Sequence, residues 1–214
     1  MADLVAIIDY GSGNLRSVEK AAARAAREAG LSLDVAVTDD PERIAGASRV
    51  ILPGVGAFAA CMAGLAARPG VLEAMEHFAL VLGRPFLGIC VGMQLMATRG
   101  LEFGSHEGLE WIPGEVRPLP ASAEFRAPHM GWNKVEAVAA HPAFDGLDGE
   151  AFYFAHSYHF VPENDAHLFA FASHGERVAA LIGRDNLLGA QFHPEKSQAA
   201  GIAFLKGFLT WTPA

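Results

Sequence analysis

Short apolar runs alternate with helix-forming stretches through the N-terminal half of the chain, and this alternation limits the possible folds most strongly. Each run has the length of a buried strand and ends at a turn; the runs are Leu4–Ile8, Leu33–Val37, Val50–Leu52 and Pro85–Ile89. The intervening helices are predicted at Leu15–Ala29, with Asn14 as N-cap and Gly30 as stop, from Asp40-Pro41 onward, and at 57–67 and 70–82. This order predicts a parallel sheet with helices on both faces.

The C-terminal half has a different pattern. Proline and glycine become denser from Pro113 to Pro128, and short strand-like pieces replace helices. Residues 178–182 and 187–192 flank Gly183–Asn186, which predicts a β-hairpin, and a last helix is predicted from Ser197 to Leu209. We therefore expect an α/β fold with a mostly parallel central sheet, helices on both faces and antiparallel strands in the C-terminal half, built as a single domain over residues 1–214.

Composition excludes several classes of function. The chain has 16 basic and 24 acidic residues and a net charge of −8, with no clustered basic face for nucleic acid. Two cysteines, no signal-like N-terminus and no long apolar run predict a cytoplasmic protein outside the membrane. Cys61 is expected to be a buried small hydrophobe. No metal or other cofactor is expected, because these histidines lack ligand spacing: His77, His106, His141, His159, His167 and His174.

The segment Gly88-Ile89-Cys90-Val91-Gly92 carries the strongest chemical signal. A cysteine lies between two glycines, at the point where an apolar strand passes into a helical stretch. This arrangement predicts a sharp elbow that presents the thiol above the sheet, where the N-terminus of the new helix favours a thiolate. A cysteine alone would be read as structural, but the flanking glycines favour a nucleophile at Cys90.

A base for this nucleophile is predicted at His193-Pro194-Glu195. Pro194 is expected to keep the segment extended, so that His193 and Glu195 project from the same side. The imidazole would then take the thiol proton while the carboxylate fixes its tautomer. By itself the tripeptide is a weak signal, since a solvated loop gives the same pattern.

A further strand end, Pro53-Gly54-Val55-Gly56, lies in the same half of the fold. Ligands of such sheets bind outside the carboxyl ends of the strands. Backbone N–H groups of Gly54 and Val91 are candidates for an oxyanion hole, in which the loss of one donor costs roughly 100- to 1,000-fold in rate. A plain glycine turn explains the pattern equally well.

These motifs together resemble a known family. Gly88–Gln94 with His193-Pro194-Glu195 resembles the triad-type, class I glutamine amidotransferases, whose fold is flavodoxin-like. Further motifs resemble the glutaminase subunits of imidazole glycerol phosphate synthase: Asp9–Leu15, Pro128–Asn133, Phe152–Tyr158 and His193–Ser197. The resemblance runs from about residue 5 to the last helix. Val91 stands where leucine is common, a change not expected to affect the chemistry.

The resemblance implies a role for each matching residue. Cys90 would attack the carboxamide of glutamine to form a thioester, with His193 as base and then acid, Glu195 as its orienter, and Gly54 and Val91 as oxyanion donors. The implied substrate-binding residues are Gln94, Glu102, Tyr153, His156 and Ser157. In the family the oxyanion strand, Pro53–Gly56 here, is often misaligned until the partner binds its own ligand.

The resemblance also implies a partner. This is a (β/α)8-barrel cyclase, which receives the ammonia in a heterodimer and makes imidazole glycerol phosphate and aminoimidazole carboxamide ribotide in histidine biosynthesis. The implied interface residues are Asn14, Pro128, Met130, Trp132 and Lys196, although Trp132 alone would also suit a core. Two alternatives stay open: a glutaminase of another synthase or a γ-glutamyl hydrolase, and a catalytically inactive regulatory subunit.

Overall fold

The computed structural model describes residues 3–120 and 127–213, so Met1, Ala2 and part of the predicted Pro113–Pro128 stretch lie outside the described residues. Its centre is a nine-stranded sheet. The strands of its parallel half are β1 (Asp3–Ile8), β2 (Leu33–Thr38), β3 (Arg49–Gly54) and β4 (Phe86–Cys90), in the order β2-β1-β3-β4. All four were predicted, and β4 is buried along its whole length, as expected of a central strand.

The helices between these strands also follow the prediction. They are α1 (Leu15–Glu28), α2 (Pro41–Gly46), α3 (Phe58–Ala66) and α4 (Val71–Glu76), and α4 continues into a π-helical turn at His77–Val81. Asp40 caps α2 by accepting the Glu42 N–H at 2.9 Å, with Pro41 at the first helical position. Asn14 is the N-cap residue of α1, as predicted, but its side chain makes no capping bond and points toward Glu195 instead.

The C-terminal half completes the sheet with mostly antiparallel strands. These are β8 (His129–Ala137), β9 (Ala151–His156), β11 (Leu168–His174), β12 (Glu176–Arg184) and β13 (Leu187–Ala190), in the order β4-β13-β12-β11-β8-β9. A smaller sheet contains β5 (Arg99–Gly100), β6 (His106–Glu107), β7 (Gly114–Pro118) and β10 (Tyr158–Pro162). Strand β13 lies parallel to β4, so the segment after β13, which contains His193, begins next to Cys90 at the end of β4.

Two local predictions need correction. The predicted hairpin exists, but its turn is only Asp185-Asn186, because Gly183 and Arg184 pair with β13 and extend β12. The segment after His193 is not extended: Pro194–Lys196 forms a 3-10 turn. The last helix, α6, spans Gln198–Thr210, close to its predicted bounds. Within the described residues, no helix is long and apolar enough to cross a membrane.

Candidate active site

Cys90 occupies a strained elbow between β4 and a single helical turn, α5 (Val91–Gln94). Its φ of 54° lies in the left-handed region, which non-glycine residues seldom adopt. The turn closes only because its neighbours have no side chains. A Cβ on Gly92 would lie 1.8 Å from the carbonyl oxygen of Leu52, and one on Gly88 would lie 2.5 Å from the Gly92 carbonyl oxygen. The predicted elbow is therefore present, and the helix that follows it is a single turn.

His193 and Glu195 lie next to Cys90. The imidazole Nδ1 is 2.9 Å from Glu195 Oε1, and the ring lies close enough to the Cys90 side chain to interact with it. A 3-10 turn, rather than an extended segment, brings the carboxylate back to the imidazole. Cys90, His193 and the Glu195 side chain are all nearly inaccessible to solvent. The three groups thus meet as the sequence predicted, by a different local backbone.

Burial and hydrogen bonding act on His193 in opposite directions. Burial lowers the pKa of the imidazole, but hydrogen bonds and charge interactions with Cys90 and Glu195 outweigh it and raise the pKa from 6.5 to about 9. The ring is therefore protonated at neutral pH. An imidazolium beside a cysteine is the setting in which catalytic cysteines react as thiolates.

Two residues that hold this arrangement were missed by the sequence analysis. Ser197 Oγ donates to the His193 carbonyl at 2.6 Å and accepts the Tyr153 N–H at 3.0 Å, which anchors the turn. Gln191 Nε2 lies 3.6 Å from Cys90 Sγ. Both residues flank the His-Pro-Glu tripeptide, so the longer segment Gln191–Ser197 carried the missing signal.

A cavity of about 200 Å³ opens beside the Cys90 sulfur. This volume suits a ligand smaller than the drug-sized molecules that occupy pockets of about 300–1,000 Å³. The cavity is lined by Val55, Gly56, Cys90, Val91, Gln94, Glu102, Pro128, Met130, Ala155, His156, Ser157 and Tyr158. Four of the five predicted substrate-binding residues are in this wall.

Tyr153 is the exception, and its predicted place in the pocket wall was wrong. The lining residue is Tyr158, while Tyr153 pairs with Trp132 across β8 and β9 and lies under Lys196 Nζ, 5.6 Å from its ring centroid. Tyr153 therefore belongs to the surface that carries Trp132 and Lys196. No local signal distinguishes the two tyrosines, because both occur in the same short motif.

The polar wall residues are already engaged with the protein. Gln94 Nε2 donates to the Tyr158 carbonyl and to Gln191 Oε1, both at 2.9 Å. Glu102 Oε2 accepts the Phe58 N–H at the start of α3, at 2.7 Å. These bonds fix the directions of both side chains before any ligand enters.

The strand end Pro53–Gly56 is held from behind by polar side chains. Ser12 Oγ accepts the Val55 N–H at 3.2 Å and donates to the Val55 carbonyl at 2.6 Å, and Cys61 Sγ donates to the same carbonyl at 3.3 Å. Cys61 is buried as predicted, but it belongs to this polar cluster rather than to a purely apolar contact. Gly54 lies beneath the cavity against Gly92, whereas Val55, Gly56 and Val91 line it.

Two of the expected interface residues, Pro128 and Met130, line the cavity. Met130 is 65% exposed and Trp132 50% exposed, so the alternative of Trp132 as a core residue is wrong. Pro128 and Lys196 are also exposed, and Asn14 is partly exposed with its amide 3.5 Å from Glu195 Oε1. Exposed apolar side chains next to a catalytic cavity indicate a surface for a partner.

The elbow, the thiol–imidazole–carboxylate triad and the doubly covered sheet define a cysteine-dependent amidotransferase, and comparison with known proteins gives the family. The model of the class-I glutamine amidotransferases matches residues 6–210, and the chain belongs to that family. Solved structures that share the fold include a glutamine amidotransferase of Thermotoga maritima (18% identity, TM-score 0.60, 98% of this chain and 83% of that one). Another is the glutaminase domain of Trypanosoma brucei CTPS (16% identity, TM-score 0.66, 100% and 96%).

Curated relatives narrow the family further. The chain is 53% identical over 212 residues to the imidazole glycerol phosphate synthase subunit HisH of Rhodospirillum rubrum, covering 98% of this chain and 99% of the relative. It is 51% identical over 214 residues to the HisH of Brucella melitensis, with the same coverage. Within the class-I glutamine amidotransferases, the chain therefore belongs to the HisH subunits.

Proposed function

We propose that this chain hydrolyses L-glutamine to glutamate and ammonia at Cys90, and that it delivers the ammonia to a (β/α)8-barrel cyclase subunit in a heterodimer. Membership of the HisH family makes it the glutaminase subunit of imidazole glycerol phosphate synthase, an enzyme of histidine biosynthesis. The observation that carries the chemistry is the contact of Cys90, His193 and Glu195, with Cys90 in the wall of a small cavity. The same membership speaks against a γ-glutamyl hydrolase, and the complete triad speaks against an inactive subunit.

The proposed reaction uses two states of His193. The Cys90 thiolate attacks the side-chain carbonyl carbon of glutamine, and the carbonyl oxygen takes up the negative charge. Protonated His193 then gives its proton to the leaving nitrogen, which departs as ammonia and leaves a glutamyl thioester. Neutral His193 next removes a proton from water, the hydroxide attacks the thioester, and glutamate leaves as the thiolate re-forms. Glu195 keeps the imidazole oriented throughout.

We assign the remaining predicted residues as follows. Gln94, Glu102, His156 and Ser157 bind the amino-acid end of glutamine, with Tyr158 replacing Tyr153 in this set. The Val91 N–H is one oxyanion donor. For the second we assign the Val55 N–H in place of the predicted Gly54, because Val55 lines the cavity and Gly54 is not among its lining residues. The partner interface comprises Asn14, Pro128, Met130, Trp132 and Lys196, and we add Tyr153 to it. Both cysteines are free thiols, which supports a reducing, cytoplasmic compartment.

The coupled complex tests this proposal. Glutamate and free ammonia should be measured for the chain alone, with the barrel cyclase, and with the cyclase carrying its ribonucleotide ligand. We expect glutamate formation to rise with the partner and its ligand, while little ammonia escapes to solvent. Ammonia outside the passage would be protonated and lose its nucleophilicity. Equal glutamate formation in all three conditions would contradict the assignment of a partner-dependent glutaminase.

The pH dependence of stability and of kcat/KM should follow the ionisation of His193. A histidine whose pKa is raised from 6.5 to about 9 contributes stability in full below pH 6.5, and this contribution is lost as pH rises through about 9. The kcat/KM for glutamine should fall across the same upper range, since neutral His193 cannot protonate the leaving ammonia. In Glu195→Gln one interaction that raises the pKa is removed, so the alkaline limb should move to lower pH. A limb unchanged in Glu195→Gln would show that Glu195 does not set this ionisation.

Ser12→Ala should raise the basal glutaminase activity of the isolated chain. The Val55 N–H is held by Ser12 Oγ, and release of this bond frees the amide to reorient toward the cavity. One oxyanion donor is worth roughly 100- to 1,000-fold, so even partial release should give a several-fold rise in kcat. Arg16→Ala, which removes only an exposed ion pair with Glu19, is the matched control. A lower kcat in Ser12→Ala would mean that the Ser12 contact supports the active form instead.

A further inference from the structure

A chain of hydrogen-bonded side chains runs from β8 to the wall of the glutamine cavity. Asn133 Nδ2 lies 3.1 Å from His129 Nε2, His129 Nδ1 lies 3.0 Å from His156 Nε2, and His156 Nδ1 lies 2.8 Å from the Tyr158 carbonyl oxygen. The same carbonyl accepts Gln94 Nε2 at 2.9 Å. This series of hydrogen bonds therefore ends on Tyr158 and Gln94 in the cavity wall. His129 and Asn133 are not among the residues that line the cavity.

The groups at the two ends of this series, the Asn133 amide and the Tyr158 carbonyl, fix which atom donates in each hydrogen bond. The Tyr158 carbonyl only accepts, so His156 must carry its proton on Nδ1. A neutral His156 then has a lone pair on Nε2, which accepts the proton of His129 Nδ1. His129 Nε2 in turn accepts from Asn133, whose second amide hydrogen is donated to the Ser173 carbonyl at 2.9 Å. Both nitrogens of each ring and both amide hydrogens of Asn133 are used, and no member carries a charge.

The surroundings keep both rings neutral and fixed. Burial is the main cause that lowers the pKa of both rings, to about 4 for His129 and about 3 for His156, and charge interactions with neighbouring histidines act in the same direction. The hydrogen bond of His156 to the Tyr158 carbonyl opposes this only in part. The His129 ring is stacked between Phe154, at 4.6 Å between centroids, and His174, at 4.2 Å. His129 is also the direct cross-strand partner of His156, in the β8–β9 pairing. The two imidazoles thus have little freedom to turn.

We propose that Asn133 and His129 are positioning residues for glutamine binding, acting through His156 to hold the Tyr158 carbonyl and the Gln94 carboxamide in the cavity wall. This inference rests on the proposed glutaminase function. The Tyr158 carbonyl has two lone pairs, and the His156 and Gln94 donors occupy both. Loss of the His156 bond would free the carbonyl and the Gln94 amide to turn together, so the wall would lose its fit to the substrate before any catalytic group is disturbed.

Two replacements of His129 separate this role from simple packing. His129→Asn keeps an N–H donor at the position of Nδ1, whereas His129→Leu fills more of the space but donates nothing to His156. We expect His129→Leu to raise the KM for glutamine on the order of tenfold with kcat nearly unchanged, since a buried acceptor is left unpaired. His129→Asn should recover most of this loss. If packing were the only role, leucine would be tolerated better than asparagine, and that order of KM values would overturn the proposal.

Histidine-selective 15N NMR of the wild-type chain provides a second readout. Both His129 and His156 should appear as neutral rings protonated on Nδ1 at pH 7, assigned by comparison with His129→Leu and His156→Gln. A ring protonated on Nε2, or a charged ring, would contradict the proposed order of bonds. The NMR result does not depend on turnover. A wild-type complex that fails to hydrolyse glutamine would refute the proposed function. An active wild type together with an unchanged KM in His129→Leu would refute the positioning role alone.

Discussion

Cys90→Ala should lower the kcat for glutamine hydrolysis on the order of 10⁶-fold, the loss seen when the nucleophile of a hydrolytic triad is removed. Without the sulfur no thioester forms, and His193 and the oxyanion donors have no nucleophile to assist. The measurement is glutamate formation by the complex with the cyclase and its ligand, where the wild-type rate should be highest. Retention of more than about a hundredth of the wild-type kcat would exclude Cys90 as the nucleophile.

The control for Cys90→Ala is the integrity of the protein. The site is buried and strained with either residue, because the left-handed backbone at position 90 is imposed by the elbow. We expect the thermal midpoint to change by only a few degrees, in line with a difference of about 1 kcal/mol in unfolding free energy. The affinity for the cyclase should also be unchanged. A variant that unfolds or loses its partner would not bear on the nucleophile, and Cys90→Ser would then replace it in the same assay.

The parallel half of the fold could be predicted because its signals are local. Runs such as Leu4–Ile8 and Pro85–Ile89 are apolar along their whole length. A short continuous apolar run of this kind is typical of a strand that is covered by helices on both faces. The errors arose where tertiary contacts override a local preference. Pro194 suggested extended backbone, yet the Ser197 hydroxyl bonds to the His193 carbonyl and stabilises a 3-10 turn. Gly183 suggested a turn but instead pairs with Leu188 in the sheet.

The candidate site was predictable only in part, for a similar reason. Cys90, His193 and Glu195 are marked by the residues beside them in sequence. Ser12, Gln191 and His129 also lie in or beside sequence motifs, but their roles follow from which strands are neighbours and in which register. Tyr153 and Tyr158 show the difference most directly: they share one motif, but β9 presents Tyr153 beside Trp132, whereas Tyr158 begins β10 at the cavity wall.

Gly92→Ala should destabilise the protein by roughly 3 kcal/mol or more, and it should remove most of the glutaminase activity. The added methyl group would lie 1.8 Å from the Leu52 carbonyl oxygen, within the central strand β3. That neighbour is backbone in a buried sheet, so it cannot turn aside as a side chain can. Either β3 and β4 separate or the elbow opens, and both changes move Cys90 relative to His193.

Gly46→Ala is the matched control, since a Cβ at Gly46 meets nothing within 4 Å. There the free energy of unfolding should rise by no more than about 1 kcal/mol, because alanine makes the unfolded chain less flexible. Urea unfolding and glutaminase assays on the two variants separate the effects. Equal midpoints for Gly92→Ala and wild type, with activity retained, would show that the elbow tolerates a side chain. Loss of activity with little loss of stability would mean that the elbow opens while the sheet stays intact. The strain would then be released at Cys90, the residue with the least favourable backbone conformation in the elbow.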